Sequence, residues 1–155
     1  MRTASAAGLV TLVALTATGC GNPVHLFTGD DPVATYCAAV RHDRRAFANL
    51  LAVGSPTALI RDLPMLQALA AKAPDDIADD WQVFLTAVEG LRDALRGAGV
   101  APGAYVDGKP PAGLDRAARR SIAQAADALS SQATVDAAGT VEQEARDVCK
   151  VNLGM

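Results

Sequence analysis

Ile77, Trp81, Phe84, Val88, Leu91, Leu95 and Ala98 step along the chain by four and three without a miss. That spacing holds all seven on one side of an α-helix for about six turns, whereas a strand would scatter them over both faces. A helix with so long an apolar stripe needs other elements to cover it. Composition says which kind: 33 of the 155 residues are Ala, while Phe, Trp and Tyr together number six. Ala costs no side-chain entropy in a helix and is depleted in strands, so the expected class is all-α with a core of Ala, Leu and Val. No alternating strand pattern of useful length competes with this reading, and no internal repeat is present.

Other helices can be placed by their start signals. Asp31-Pro32 offers an acidic cap and a proline at the first helical position, so a helix is expected over residues 32–52. Its buried stripe would be Tyr36, Cys37, Val40, Phe47, Leu50 and Leu51, with the charged run from Arg41 to Arg45 mostly facing water. Ser55-Pro56 starts a second, with Leu59, Ile60, Leu63, Leu66, Leu69 and Ala70 inward and a kink or break at Pro64, which lacks a backbone donor. The long stripe after Pro74 is the third. Leu114, Ala118, Ile122, Ala125 and Leu129 mark a fourth, and Gly139 is expected to break the pattern. Thr140 with Gln143 then fits a capping box for a short last helix carrying Val141, Ala145, Val148 and Cys149. The expected architecture is an up-and-down bundle of four main helices plus a short C-terminal helix, over residues 32–155. Residues 97–113 hold five glycines and three prolines and read as a loop; loops of that length tend to be functional or mobile.

The N-terminus reads as a targeting segment. One positive charge at Arg2 precedes Ala6 through Thr18, an uncharged stretch too short to span a bilayer. It ends in Leu15-Thr16-Ala17-Thr18-Gly19-Cys20, followed by the turn-prone Gly21-Asn22-Pro23. These residues resemble the lipobox of bacterial lipoproteins, although Ala17 stands where that motif usually carries Leu. The resemblance implies that residues 1–19 are removed as a signal peptide and that the thiol of Cys20 accepts a diacylglyceryl group. Residues 20–31 would form a short flexible tether. The protein would then sit on the extracytoplasmic face of the cell membrane, held by its acyl chains, because the net charge left after loss of Arg2, 13 basic against 17 acidic residues or −4, gives no help with anionic lipid. Ala17 and Gly19 also satisfy the small-x-small rule for ordinary secretion, so a free secreted protein cut at the same bond is the alternative.

Cysteine arithmetic bears on that choice. Three cysteines leave one odd thiol in an oxidising compartment, and acylation of Cys20 would consume it. Cys37 falls early in the first helix and Cys149 late in the last; an up-and-down bundle with an even number of helices brings such positions to one end, where a disulfide could form. A reactive thiol pair is the other reading, without a CxxC to support it. Tyr36-Cys37, Ala73-Pro74 ahead of Trp81, and the late Val148-Cys149 are together similar to small Ala-rich lipoproteins of high-GC Gram-positive bacteria. That resemblance implies a helical envelope module with no defined activity.

Candidate chemistry is sparse. Asp75, Asp76, Asp79 and Asp80 pair at i, i+4 and could bridge a cation, but acidic residues at a helix start are favoured by the macrodipole alone, and no metal site is expected. His42-Asp43 could act as a base only if the two side chains met, and adjacent helical residues point about 100° apart. No serine-hydrolase, metallopeptidase or nucleotide-binding motif occurs, so no catalytic residue and no cofactor are expected. Net charge excludes a nucleic-acid footprint. Tyr105, set among glycines and prolines, is the aromatic expected to reach solvent; with Arg116 and Arg119, and with Lys109, Arg92 or Arg96 nearby, it is the candidate contact for an envelope protein or anionic cell-wall polymer. The sequence therefore favours a binding or scaffold module. A carrier of an apolar small molecule within the bundle is the first alternative, and an envelope hydrolase with a buried His42 the second.

Overall fold

A computed structural model describes residues 31–53 and 55–152 of the chain. The expected signal peptide, Cys20, and all of the expected tether except Asp31 lie outside the described residues. Among those described the chain is mostly helical, with seven α-helices and no strand. No described helix is long and apolar enough to cross a membrane.

Helix α1, Pro32–His42, starts where the cap signal placed it: the Asp31 side chain accepts a hydrogen bond from the Val33 N–H at 3.0 Å. The single helix expected over residues 32–52 is instead two, because the chain bends at Asp43 before α2, Arg44–Val53. The break falls at Asp43, a poor helix former. Tyr36, Cys37 and Val40 are buried on one side of Asp43, Phe47 and Leu50 on the other, and the intervening charged residues supply nothing to bury. Val40 and Phe47 are seven residues apart, so both apolar groups lie on one face across the break and the charges are left in water. The Leu51 side chain, expected on the same stripe, lies outside the described residues.

The second expected helix also divides, into α3, Pro56–Arg61, and α4, Leu63–Ala70. The break falls at Asp62, two residues ahead of Pro64. Proline thereby occupies the first turn of α4, where no backbone donor is needed.

Helix α5, Asp75–Gly97, carries the long stripe as read: Ile77, Trp81, Phe84, Val88, Leu91 and Leu95 are all buried. Helices α3, α4 and two later ones, α6 (Arg116–Leu129) and α7 (Gln132–Asp147), pack around it. Its C-terminus closes through the Val100 N–H on the Leu95 carbonyl at 2.9 Å, with Gly99 at φ +66° supplying the left-handed step. Within the core the Trp81 indole N–H donates to the Tyr36 hydroxyl at 3.2 Å, and Phe47 and Phe84 flank the Trp81 ring at 6.3 and 6.2 Å between centroids.

Gly139 does not break the chain. Helix α7 runs straight through it from an N-cap at Ser131, and Thr140 caps nothing, its hydroxyl donating back to the Asp136 carbonyl inside the helix. The last helix is therefore 16 residues long. A glycine costs a helix interior only about 1 kcal/mol, which the burial of Thr134, Ala137, Val141 and Ala145 along the same helix outweighs.

A disulfide joins Cys37 to Cys149 across a sequence separation of 112, with 4.9 Å between the Cα atoms. Both cysteines are buried, and the bridge ties α1 to the chain that follows α7.

Candidate functional site

The bend at Asp43 has a chemical consequence. Arg41, Asp43, Arg44 and Arg45 are gathered at one corner between α1 and α2, and the chain that leaves α7 comes up against them. That chain is folded tightly onto its own helix end: the Cys149 N–H reaches the Glu144 carbonyl at 3.2 Å and the Val151 N–H reaches the Ala145 carbonyl at 2.9 Å. Lys150 turns it with a φ of +57°, its ammonium donating to the Asp147 carbonyl at 2.6 Å, while Val151 is buried. Arg41 spans the two segments, its guanidinium donating to the Cys149 carbonyl at 3.4 Å. Between them lies a cleft of about 810 Å³.

Its electrostatics run against those of the rest of the molecule. Arg41, Arg44, Arg45 and Lys150 line it with four positive charges against the one carboxylate of Asp43, in a chain whose net charge is −3. Elsewhere four arginines are neutralised by neighbours, Arg61 by Asp62 at 2.7 Å, Arg92 by Asp93 at 2.9 Å, Arg96 by Asp93 at 3.6 Å and Arg146 by Glu142 at 3.6 Å, while Arg116, Arg119 and Arg120 stand exposed on α6 outside the cleft. The Arg61 and Arg92 partners feel it, since the hydrogen-bonding guanidiniums hold the carboxyls of Asp62 and Asp93 below the usual range. Among the described residues the cleft arginines have no such ion pair; Arg41 leans on a backbone carbonyl instead.

His42 also borders the cleft, 86 % exposed, with its Nε2 3.9 Å from a carboxylate oxygen of Asp43. The burial that a hydrolase reading required of it is absent, and the solvated helix face explains its position. The acidic run at the start of α5 is solvated too: Asp75, Asp76 and Asp79 are exposed. Among the described residues no three His, Cys, Asp or Glu side chains converge as a metal would need. The acidic run acts elsewhere. Glu144 on α7 is pushed up in pKa by burial first, then by the charges of Asp76 and Asp147.

Tyr105 is not the exposed aromatic that its loop suggested. Its residue is only 4 % exposed, because the loop is fastened to α3: the Thr57 hydroxyl donates to the Tyr105 carbonyl at 3.2 Å, and a short 3-10 turn at Pro102–Ala104 packs on the same helix. Burial, with a further contribution from the charge of Asp127, pushes the phenol above its ordinary pKa. Solvent exposure falls instead on Val106, Asp107 and Lys109 at the loop's tip. Arg116 and Arg119 are exposed on α6, away from the basic cleft, and Arg92 and Arg96 are committed to Asp93. Around Trp81, where a carrier would need an apolar cavity, the rings of Phe47 and Phe84 fill the space. An apolar hollow of about 370 Å³ opens instead among α5, α6 and α7, between Val83, Ala87, Gly90, Ala125 and Thr134.

The charged run from Arg41 to Arg45 faces water as its position on the helix predicts; what the sequence expectation lacks is Lys150 beside it. A signal was present: Arg41 lies one helical turn beyond Cys37 and Lys150 directly follows Cys149, so joining the two cysteines brings the two cations together. Comparison of the chain with protein-family models, with curated proteins and with solved structures finds no match.

Proposed function

We propose that the protein is an exported lipoprotein of the cell envelope, cleaved ahead of Cys20, acylated on that sulfur and held on the extracytoplasmic face of the cell membrane, where its helical domain acts as a binding or scaffold module for an envelope protein or cell-wall polymer. The observation that carries this reading is the disulfide between Cys37 and Cys149. Such bonds persist in oxidising compartments and are rare in the cytosol, and this one accounts for two of the three cysteines, leaving Cys20 as the one to be consumed by lipid. Two or more acyl chains hold a protein at a bilayer stably where one does not. The up-and-down order of the bundle belongs to the same reading, supported by the short connection at Ser130 and Ser131, which favours antiparallel packing of α6 and α7. A carrier of an apolar small molecule is the second reading, and the open hollow beside Gly90 is what favours it.

The test is mass spectrometry of the mature N-terminus together with fractionation of cells producing the native chain or Cys20→Ala. The expected result is an acylated Cys20 at the N-terminus, protein in the membrane fraction, and loss from that fraction in the variant. A native protein recovered from the aqueous phase without detergent, or alkylation of all three cysteines under non-reducing conditions, overturns the proposal.

A further inference from the structure

We propose that the cleft at the α1–α2 corner is a binding site for phosphate groups, with Arg41, Arg44, Arg45 and Lys150 as its cationic walls. The argument starts from cost. Four positive charges drawn together from segments more than 100 residues apart repel one another, and an acidic chain has carboxylates enough to disperse them, as it does at Arg61, Arg92, Arg96 and Arg146. Here the surplus is left standing in a concave place. Two of the four walls are also held in position before any ligand arrives. On one side Arg41 is held against the Cys149 carbonyl; on the other Lys150 is held by its own backbone turn and its bond to the Asp147 carbonyl. Behind both, the disulfide joins Cys37, one turn from Arg41, to Cys149, the residue before Lys150. A preformed array loses little freedom on binding, which is the usual requirement for an electrostatic site to discriminate among ligands.

The surplus of charge selects among anions. A carboxylate offers one negative charge and one fork of oxygens, which a single arginine satisfies. A phosphate group presents up to two charges and three or more oxygens around one centre, so that several guanidinium forks and an ammonium can share it. At about 810 Å³ the cleft exceeds a single phosphate and suits a phosphate carried on a larger body or linked to a second one. Two sources present that chemistry at an envelope surface: a phospholipid headgroup and a soluble or polymer-borne phosphate.

The test is calorimetric titration of the purified full chain in non-ionic detergent. Its probes are pyrophosphate for the free group, short-chain dihexanoyl phosphatidic acid, a phosphate monoester, for the headgroup without a membrane, and citrate for carboxylate. Pyrophosphate or the short-chain lipid is expected to bind; binding by the lipid alone assigns the headgroup as source, and binding by pyrophosphate alone assigns the soluble group. In either case Arg44→Ala/Arg45→Ala, which changes two exposed residues, is expected to weaken binding about tenfold or more, while Arg61→Ala/Lys72→Ala, two exposed cations outside the cleft, leaves it unchanged. Raising salt from about 50 mM to about 200 mM should weaken it further in the native protein than in the cleft variant. Absence of binding by both phosphate probes, equal affinity for citrate, or equal loss in the two double variants overturns the proposal. None of these readouts depends on whether Cys20 carries lipid, so the site and the anchor stand or fall separately.

Discussion

Replacing Cys37 and Cys149 together by Ala should remove most of what makes this domain thermally robust. The bridge closes a loop with a sequence separation of 112. On the chain-entropy model a loop of this size is worth about 5 kcal/mol at 25 °C, most of it through restriction of the unfolded chain. That is comparable with the lower end of the stability range of an ordinary domain, at about 5 kcal/mol. For the roughly 120 residues of the helical domain, an unfolding entropy of about 2.1 cal/mol/K per residue converts the loss into a fall in Tm of about 15–20 °C. Because the effect arises in the unfolded state, helicity at 25 °C should be nearly unchanged, and the denaturant m-value should rise as the unfolded chain is freed to expand. Thermal and urea unfolding followed by circular dichroism measure both quantities. A fall in Tm of less than about 5 °C, or an unaltered m-value, refutes the reasoning: it would mean that the packing of Tyr36, Val40 and Val151 already holds α1 to the end of the chain and that the covalent tie adds little.

Two further outcomes follow from single residues. Burial, which outweighs the opposing hydrogen bond from Trp81, together with the charge of Glu144, pushes the Tyr36 phenol up to about 12. An unfolded tyrosine loses its proton near pH 10 and the folded one later, so stability is complete below about pH 10 and falls by roughly 2–3 kcal/mol as the pH rises to about 12; urea titrations across that window should show the slope. Tyr36→Phe should flatten this slope, leaving the smaller share that Tyr105 contributes, and, by leaving the Trp81 N–H without its acceptor, cost about 1–3 kcal/mol at neutral pH. At Gly139 a Cβ would meet nothing within 4 Å, so Gly139→Ala should stabilise by about 1 kcal/mol, read as a raised urea midpoint with unchanged m-value.

What the sequence made legible is what depends on a single helix. The stripe of α5 needed only its own spacing, and the caps at Asp31 and the prolines at 32 and 56 needed only the chemistry of a helix start. The errors lie where a local preference met tertiary packing. Gly139 is locally a breaker, yet Thr134, Ala137, Val141 and Ala145 are buried along the same helix and carry it across. The charged run from Arg41 to Arg45 is compatible with one continuous helix, and Val40 and Phe47, seven residues apart, share a face with or without a break, so the spacing carries no mark of the interruption at Asp43. Tyr105 was read from the company it keeps, glycines and prolines, when its burial is decided by the fastening of the loop to α3 through Thr57.

The same distinction explains why the basic cleft was hidden although every one of its residues was in view. A site made by one segment leaves a motif; a site made by two leaves none until something fixes how the segments meet. Here that something is the disulfide, and its two cysteines carry the coordinates of the cleft with them, Arg41 one turn after the first and Lys150 immediately after the second. Side chains one turn apart on a helix share a face, and consecutive residues in a turning chain cannot separate by more than about 3.8 Å between Cα atoms. With 4.9 Å between the bridged Cα atoms, Arg41 and Lys150 are confined to one neighbourhood whatever the intervening hundred residues do. Arg44, three residues after Arg41, shares that face by the same rule, while Arg45, one residue further round the helix, is the wall that the bridge constrains least.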